Sequence, residues 1–407
     1  MTNLVATESI EHTASATSPR RLPAVDGLRA VAASLVLGHH LGAAAFGGSI
    51  TDRGHPFLGL FVGTVGSSGV ELFFVLSGLV LVRPYLRYGR RMDVGTYLRR
   101  RAERLFPPFL PAWLLAGTCV YTVTNYHNWY SDSAGVPHFH LRDWLLQLGI
   151  LYFGNHYAWA WWSLTVELMF YLLIPFLLRP LSRVPVGVVP ALCVLGAVTG
   201  VALFVPLFHG AWLEHALLPH FSRFLMLSHC FVAGLLLSRQ DFPRSVALTL
   251  MGLGAAFLVI SAIYSGVTCH VGYGLFYTGL VARALDPTSA IARLLSRWHF
   301  VWLGERSYSL FLIHCSVIVL VYHFTAFVIP RGAAFILVTR VVSVPLSIFV
   351  AMCLFYFVER QFARGLETAD SFWPRRPTEP QPLGEGMPVT EQVRVVPARA
   401  DIPIDGS

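Results

Sequence analysis

Apolar stretches recur along the whole chain, separated by short polar segments rich in arginine. A helix that crosses a bilayer needs about 20 mostly apolar residues. Ten stretches approach that length: 29–46, 69–86, 106–124, 162–179, 186–208, 221–238, 245–265, 268–285, 301–323 and 334–358. The pattern predicts an all-α, polytopic membrane protein with about ten transmembrane helices around a central polar cavity and no β-sheet core. Segment 143–153 is apolar but too short to span, and reads as an interfacial or re-entrant helix on the outer side. Residues 1–20 and 366–407 are rich in Pro, Glu, Ser and Thr. They read as disordered cytoplasmic tails on either side of a transmembrane domain at 21–365.

Composition sharpens this reading. Of the 407 residues 55% are hydrophobic and 13% charged, the latter about half the share of a soluble domain. A soluble chain could not cover so much apolar surface, and a collagen-like, disordered or disulfide-scaffold chain would not contain it. The net charge is +8, and all 30 basic residues are Arg, a usage that suggests a GC-rich bacterial genome. Nucleic-acid binders are also basic, but they carry their charge on solvated faces. Here the arginines sit between apolar runs, so the partner is the lipid bilayer and not a nucleic acid. With the N-terminus placed in the cytoplasm, 25 of the 30 arginines fall inside and 5 fall outside or near outer span ends. The positive-inside rule then places both termini in the cytoplasm of a multi-pass protein of the inner (plasma) membrane. Residues 1–20 lack the apolar core of a cleavable signal peptide, so the first span directs insertion. The six cysteines form no CxxC pair and lie mostly within apolar runs. They read as buried thiols, and no metal site is expected.

Polar groups inside a membrane are expensive and call for a reason. Arg29 and His40 are eleven residues apart, which leaves them roughly 20° from a whole number of helical turns and about 16 Å apart. They share a helix face, whereas His39 points away from it. Glu167 enters the fourth predicted span with Ser163 and Tyr171 at i−4 and i+4 on one face. A carboxylate there either ties helices together or orients and charges a histidine. Between 83 and 104 lie eight arginines, more than topology requires, and guanidinium groups bind phosphate bidentately. Arg100, Arg101 and Arg104 are thus candidates for holding a polyphosphate ligand such as coenzyme A. Glu71 and His314 also fall inside spans, where structural roles compete with functional ones, while His229 and His323 read as structural. The outer segment 125–161 is rich in aromatics, including Trp159 and Trp161, a composition that suits either sugar recognition or an interfacial belt. No G-x-S-x-G elbow, HExxH or Walker loop is present, which disfavours a serine hydrolase, a zincin or an ATP-driven pump.

Six motifs in order carry a resemblance. Asp26-Gly27-Leu28-Arg29 is followed, after ten intervening residues, by His40, and Gly69-Val70-Glu71 leads to Ser77-Gly78. Arg101, Arg104 and Pro107 form Arg-x-x-Arg-x-x-Pro, and Trp162-Ser163-Leu164 leads to Val166-Glu167. Ser307-Tyr308-Ser309-Leu310 precedes His314, and Glu359-Arg360 precedes Phe362. From Leu22 to Phe362 the chain resembles the acyltransferase-3 family of integral membrane O-acyltransferases. Two departures stand out: Glu71 where the family has Asp, and Leu168 and Met169 where many relatives have Glu and Gln. The chain resembles the shorter members, which lack an extracytoplasmic esterase-like domain and acylate surface polysaccharides or the sugars of macrolide-type products.

The resemblance implies transfer of a short acyl group, acetyl foremost, from cytoplasmic acyl-CoA to a hydroxyl of a carbohydrate or glycosylated metabolite. It places catalysis on Arg29 and His40. His40 is then the expected general base, Arg29 the group that orients acyl-CoA, and Glu167 the partner of the histidine. Arg100, Arg101 and Arg104 would hold the acyl-CoA, and Ser163, Tyr171, Trp159, Trp161 and His314 would meet substrate. The residues leave open a covalent acyl-enzyme or direct transfer. Intramembrane His and Glu also serve proton relays, so a membrane transporter of an acylated or acidic metabolite is the alternative reading.

Overall fold

The computed structural model describes residues 22–45, 65–86, 91–125, 138–149, 157–183, 217–239, 241–264, 269–330 and 332–362. These all belong to one unit, Met1–Arg364. Among the described residues every regular element is helical. The elements are α1 (Pro23–Ala45), α2 (Gly69–Leu86), α3 (Val94–Asn125), α4 (Leu141–Gln147), α5 (Trp162–Arg183), α6 (Leu217–Arg239), α7 (Arg244–Tyr264), α8 (Cys269–Leu285), α9 (Ala290–Leu295), α10 (Trp298–Glu305), α11 (Ser307–Val328) and α12 (Ala333–Leu354). A 3₁₀ turn at Trp159–Trp161 leads into α5, and a π-helical segment, Phe355–Glu359, ends α12. The predicted run 186–208 and both predicted tails lie outside the described residues.

The count of ten spans needs correction. Among the described residues, five segments have both the length and the sustained hydropathy to cross a bilayer: Gly69–Leu86, Val94–Asn125, Trp159–Leu178, Ser307–Val328 and Ala333–Phe362. The other predicted runs that fall in described residues are helical too, but fall short of that standard. The α8 helix has 17 residues, and the apolar part of α7 is the stretch Arg244–Ile260. The α1 helix carries Asp26, Arg29, His39 and His40, polar groups that lipid would not accommodate and neighbouring helices must shield. The protein is therefore an all-α polytopic membrane protein in which several helices depend on others for cover.

Two further expectations shift. The run 301–323 divides at Arg306, where α10 stops and α11 starts. The Arg306 guanidinium donates to the Trp302 carbonyl at 2.6 Å and to the Tyr356 hydroxyl at 2.7 Å, and lies over the Trp302 and Phe355 rings. The run 106–124 begins earlier, at Val94, so the arginine cluster is helical and continuous with a span. Asp93 caps that helix by accepting the Thr96 N–H at 2.9 Å, one of the orphan donors of any helix start. Hydrogen bonds from the Thr96 side chain and then its backbone N–H hold the Asp93 carboxyl below the usual carboxylate range.

Packing centres on α1, which touches α2, α8, α9, α10, α11 and α12. The α2 helix crosses α6 at a point where Gly78 faces the Phe231 backbone and Gly234 faces the Val75 backbone. Small residues allow such backbone approach in membranes. Two apolar clusters surround the polar interior. One gathers Leu28, Leu72, Leu79, Phe170, Phe231 and Leu235, and the other Phe109, Trp113, Trp161, Leu164, Leu310 and Ile313. Between them α1, α2, α3, α5 and α11 leave a cavity.

Candidate active site

The cavity has an empty volume of about 780 Å³ and brings together six of the sequence-predicted site residues: Arg29, Arg101, Arg104, Ser163, Glu167 and Tyr171. Arg29 comes from α1, where Asp26 one turn earlier accepts from its Nη1 at 3.2 Å. Arg101 and Arg104 come from one face of α3. Arg101 lies over the rings of Tyr97 and Tyr171, at 5.7 Å and 5.9 Å from their centroids. Its Nε is buried with no hydrogen-bond partner. Arg100, one residue round the helix, is absent from the cavity lining.

The α5 helix presents Ser163, Glu167 and Tyr171 at intervals of four residues, hence on one face. Glu167 Oε1 accepts from the Ser77 hydroxyl at 3.2 Å and from the Tyr171 hydroxyl. Ser163 donates to the Ala160 carbonyl at 3.0 Å. On the α11 side Tyr308 lines the cavity and donates to the Leu105 carbonyl at 3.0 Å, fixing α11 against α3. Glu359 accepts from the Ser309 hydroxyl at 2.5 Å and lies within electrostatic reach of Arg104 and Arg29. The cavity thus sets three guanidinium groups against few carboxylates.

His40 lies elsewhere. Its Nδ1 is 2.9 Å from the Val36 carbonyl oxygen and 3.1 Å from His314 Nε2. Trp159 stacks near its ring, with centroids 6.3 Å apart. The structure therefore gathers His40, His314 and Trp159 as a second group and gives Glu167 other partners. Phe311 links the two groups: it lines the cavity, its ring centroid is 6.0 Å from that of His314, and it meets Phe73 edge to face. Trp161 and Trp159 look alike in sequence and differ in the fold. Trp161 is 1% exposed, packs on Phe109 and donates its indole N–H to the Leu312 carbonyl at 3.1 Å. It holds α3, α5 and α11 together, and only Trp159 adjoins a candidate catalytic group.

His40, His314 and Cys315 bring ligand atoms within 4.8 Å of one another, a donor set suited to a borderline metal. His40 Nδ1 also lies 2.9 Å from the Val36 carbonyl oxygen, so a hydrogen on that nitrogen would compete with an ion for it. Away from these groups, Glu71 is 3% exposed and its Oε1 bonds His270 Nδ1 on α8. Ser77, Tyr308 and Glu359 were not singled out as site residues. Each sits within a motif, but its partner lies 50 or more residues away, and local spacing does not encode such contacts.

A family profile describing an acyltransferase domain matches residues 22–360. The chain belongs to the acyltransferase-3 family. It is 26% identical over 332 residues to the O-acetyltransferase OatA of Staphylococcus aureus, covering 75% of this chain and 52% of that protein. It is 31% identical over 172 residues to the acyltransferase MdmB of Streptomyces mycarofaciens, covering 41% of each. The chain thus spans about half the length of the first of these curated relatives and less of the second. No solved structure matches at a significant level.

Proposed function

We propose that the protein is an O-acyltransferase that moves a short acyl group, acetyl foremost, from acyl-CoA to a hydroxyl of a carbohydrate or glycosylated metabolite. The observation that carries the reading is the arginine-lined cavity. Arg29, Arg101 and Arg104 converge there, and the Arg101 Nε is buried without a partner. A buried donor left unmade costs about 1–3 kcal/mol, and a ligand phosphate oxygen would satisfy it. The relatives' names, an acyltransferase and an O-acetyltransferase, agree with the reaction class.

In this mechanism the arginines hold the phosphates, and the acyl thioester extends past Ser163 and Phe311 toward His40. The His40 imidazole removes the proton from the acceptor hydroxyl as its oxygen attacks the thioester carbonyl. The C–S bond then breaks, and the leaving thiolate takes the proton back from His40. An imidazole suits both steps because its ordinary pKa lies near working pH. Glu167 acts on Tyr171 and Ser77, not on the histidine, and balances the guanidinium charge. Acceptance of the sugar falls to the His40 side, where Trp159 offers an aromatic face.

Arg101→Ala and Arg104→Ala should each raise KM for acyl-CoA about 10- to 100-fold, the size of one or two charge-assisted hydrogen bonds, with a smaller change in kcat. Initial rates with labelled acetyl-CoA and candidate glycoside acceptors in detergent measure this. Release of CoA that depends on acceptor supports the reading, whereas solute uptake into proteoliposomes without CoA chemistry would replace it with transport. The mechanism also requires the arginine end of the cavity to face the cytoplasm. Reporter fusions at residues 95 and 290 should read cytoplasmic and those at 135 and 327 external, and the opposite pattern would deny acyl-CoA access.

A further inference from the structure

We infer that His314 is a positioning residue that fixes the tautomer of His40, so that His40 Nε2 carries the free lone pair. The inference rests on the reading of His40 as general base. His314 Nδ1 lies 2.9 Å from the Phe311 carbonyl oxygen and 3.1 Å from that of Leu310. A carbonyl oxygen only accepts, so His314 Nδ1 bears a hydrogen. In the neutral ring Nε2 is then an acceptor. That atom lies 3.1 Å from His40 Nδ1 and 3.4 Å from Cys315 Sγ, a weak donor.

His40 Nδ1 lies 2.9 Å from the Val36 carbonyl oxygen, which again only accepts. His40 Nδ1 therefore bears a hydrogen as well, and shares it between the Val36 carbonyl and His314 Nε2. Two acceptors on one nitrogen leave the second nitrogen, Nε2, as the base. The other tautomer would set His40 Nδ1 lone pair against two lone pairs and forfeit both hydrogen bonds.

His314 does more than hold the resting state. When His40 takes the acceptor's proton, the Nδ1–H bond to His314 becomes charge-assisted and strengthens. A neutral imidazole thus fills the place that a carboxylate fills in other base–orienter pairs. The burial of His314, 1% exposed, keeps water from competing for that Nε2.

The test compares His314→Phe, His314→Gln and His40→Ala in membranes normalised for folded protein. Phe keeps the ring volume and removes the acceptor, while Gln places an amide oxygen near the position of Nε2. His314→Phe should lose about 100-fold in kcat with KM for acyl-CoA within about twofold, and His314→Gln should recover at least tenfold of that loss. Three results would overturn the inference: His314→Phe within threefold of wild type, equal loss in Phe and Gln, or a loss that tracks the yield of folded protein or the KM. The underlying base reading fails separately, if His40→Ala itself keeps wild-type turnover.

Discussion

Replacing His40 by alanine should lower turnover by about two to four orders of magnitude, the usual worth of a positioned general base, while the protein still inserts and binds acyl-CoA. The separation expected between chemistry and folding follows from the surroundings. His40 is only partly buried, and its ring lies against those of His314, His39 and Trp159. Alanine is also the best helix former, so α1 should persist. Acyl-CoA affinity should stay near wild type because Arg29, Arg101 and Arg104 lie apart from His40 in the cavity. Binding of a labelled acyl-CoA analogue, set beside acceptor-dependent CoA release, separates the two effects. Unchanged release would remove His40 from the chemistry.

The second large effect is on assembly. At the α2–α6 crossing a side chain at Gly234 would run into the Val75 carbonyl and the Leu79 amide, and one at Gly78 into the Phe231 carbonyl. These are backbone atoms of opposing helices, and no rotamer change moves them. Overpacking in a dense interior costs about 1–3 kcal/mol and more where nothing relaxes, so Gly234→Leu should leave little folded protein. Gly252 on α7 has nothing within 4 Å of the added carbon, and Gly252→Ala should be neutral or slightly stabilising through helix propensity. Size-exclusion profiles and thermal midpoints in detergent compare the two. A monodisperse, fully stable Gly234→Leu protein would mean the helices cross elsewhere.

Helices and motif order were legible because hydrophobic runs and short spacings are local properties. The i, i+4, i+8 ladder of Ser163, Glu167 and Tyr171 could be drawn from the sequence, and the fold presents all three to one cavity. The meeting of His40 and His314 could not, since they are 274 positions apart. The same holds for Glu71 with His270, 199 positions apart. Helical periodicity puts Arg29 and His40 on one face but does not say that neighbouring helices close the cavity between their levels. Composition also cannot separate Trp159 from Trp161, because both are aromatic and adjacent to the same span. Only the packing of Phe109 and the Leu312 carbonyl decides which ring is buried in the core. The span count failed for a related reason. Hydropathy treats each helix as facing lipid, whereas α1 surrounds its polar groups with other helices.

Phe311 bears on the economy of the donor. It has one side on the arginine-lined cavity and the other against His314, with Phe73 edge-on to it at 6.1 Å between centroids. In the proposed mechanism Phe311 would stand between the guanidinium groups and the His314 ring. An activated thioester held below an accessible base would be hydrolysed whenever water arrived ahead of the acceptor, and the cell would lose acyl groups with nothing modified. If the proposed transfer runs past Phe311 and Phe73, rings that admit a slender acyl chain and exclude bulk solvent would limit loss of the donor to water. The same passage would set an upper limit on the girth of the acyl group, so that fidelity toward the alcohol and selectivity for a small donor arise from one pair of side chains.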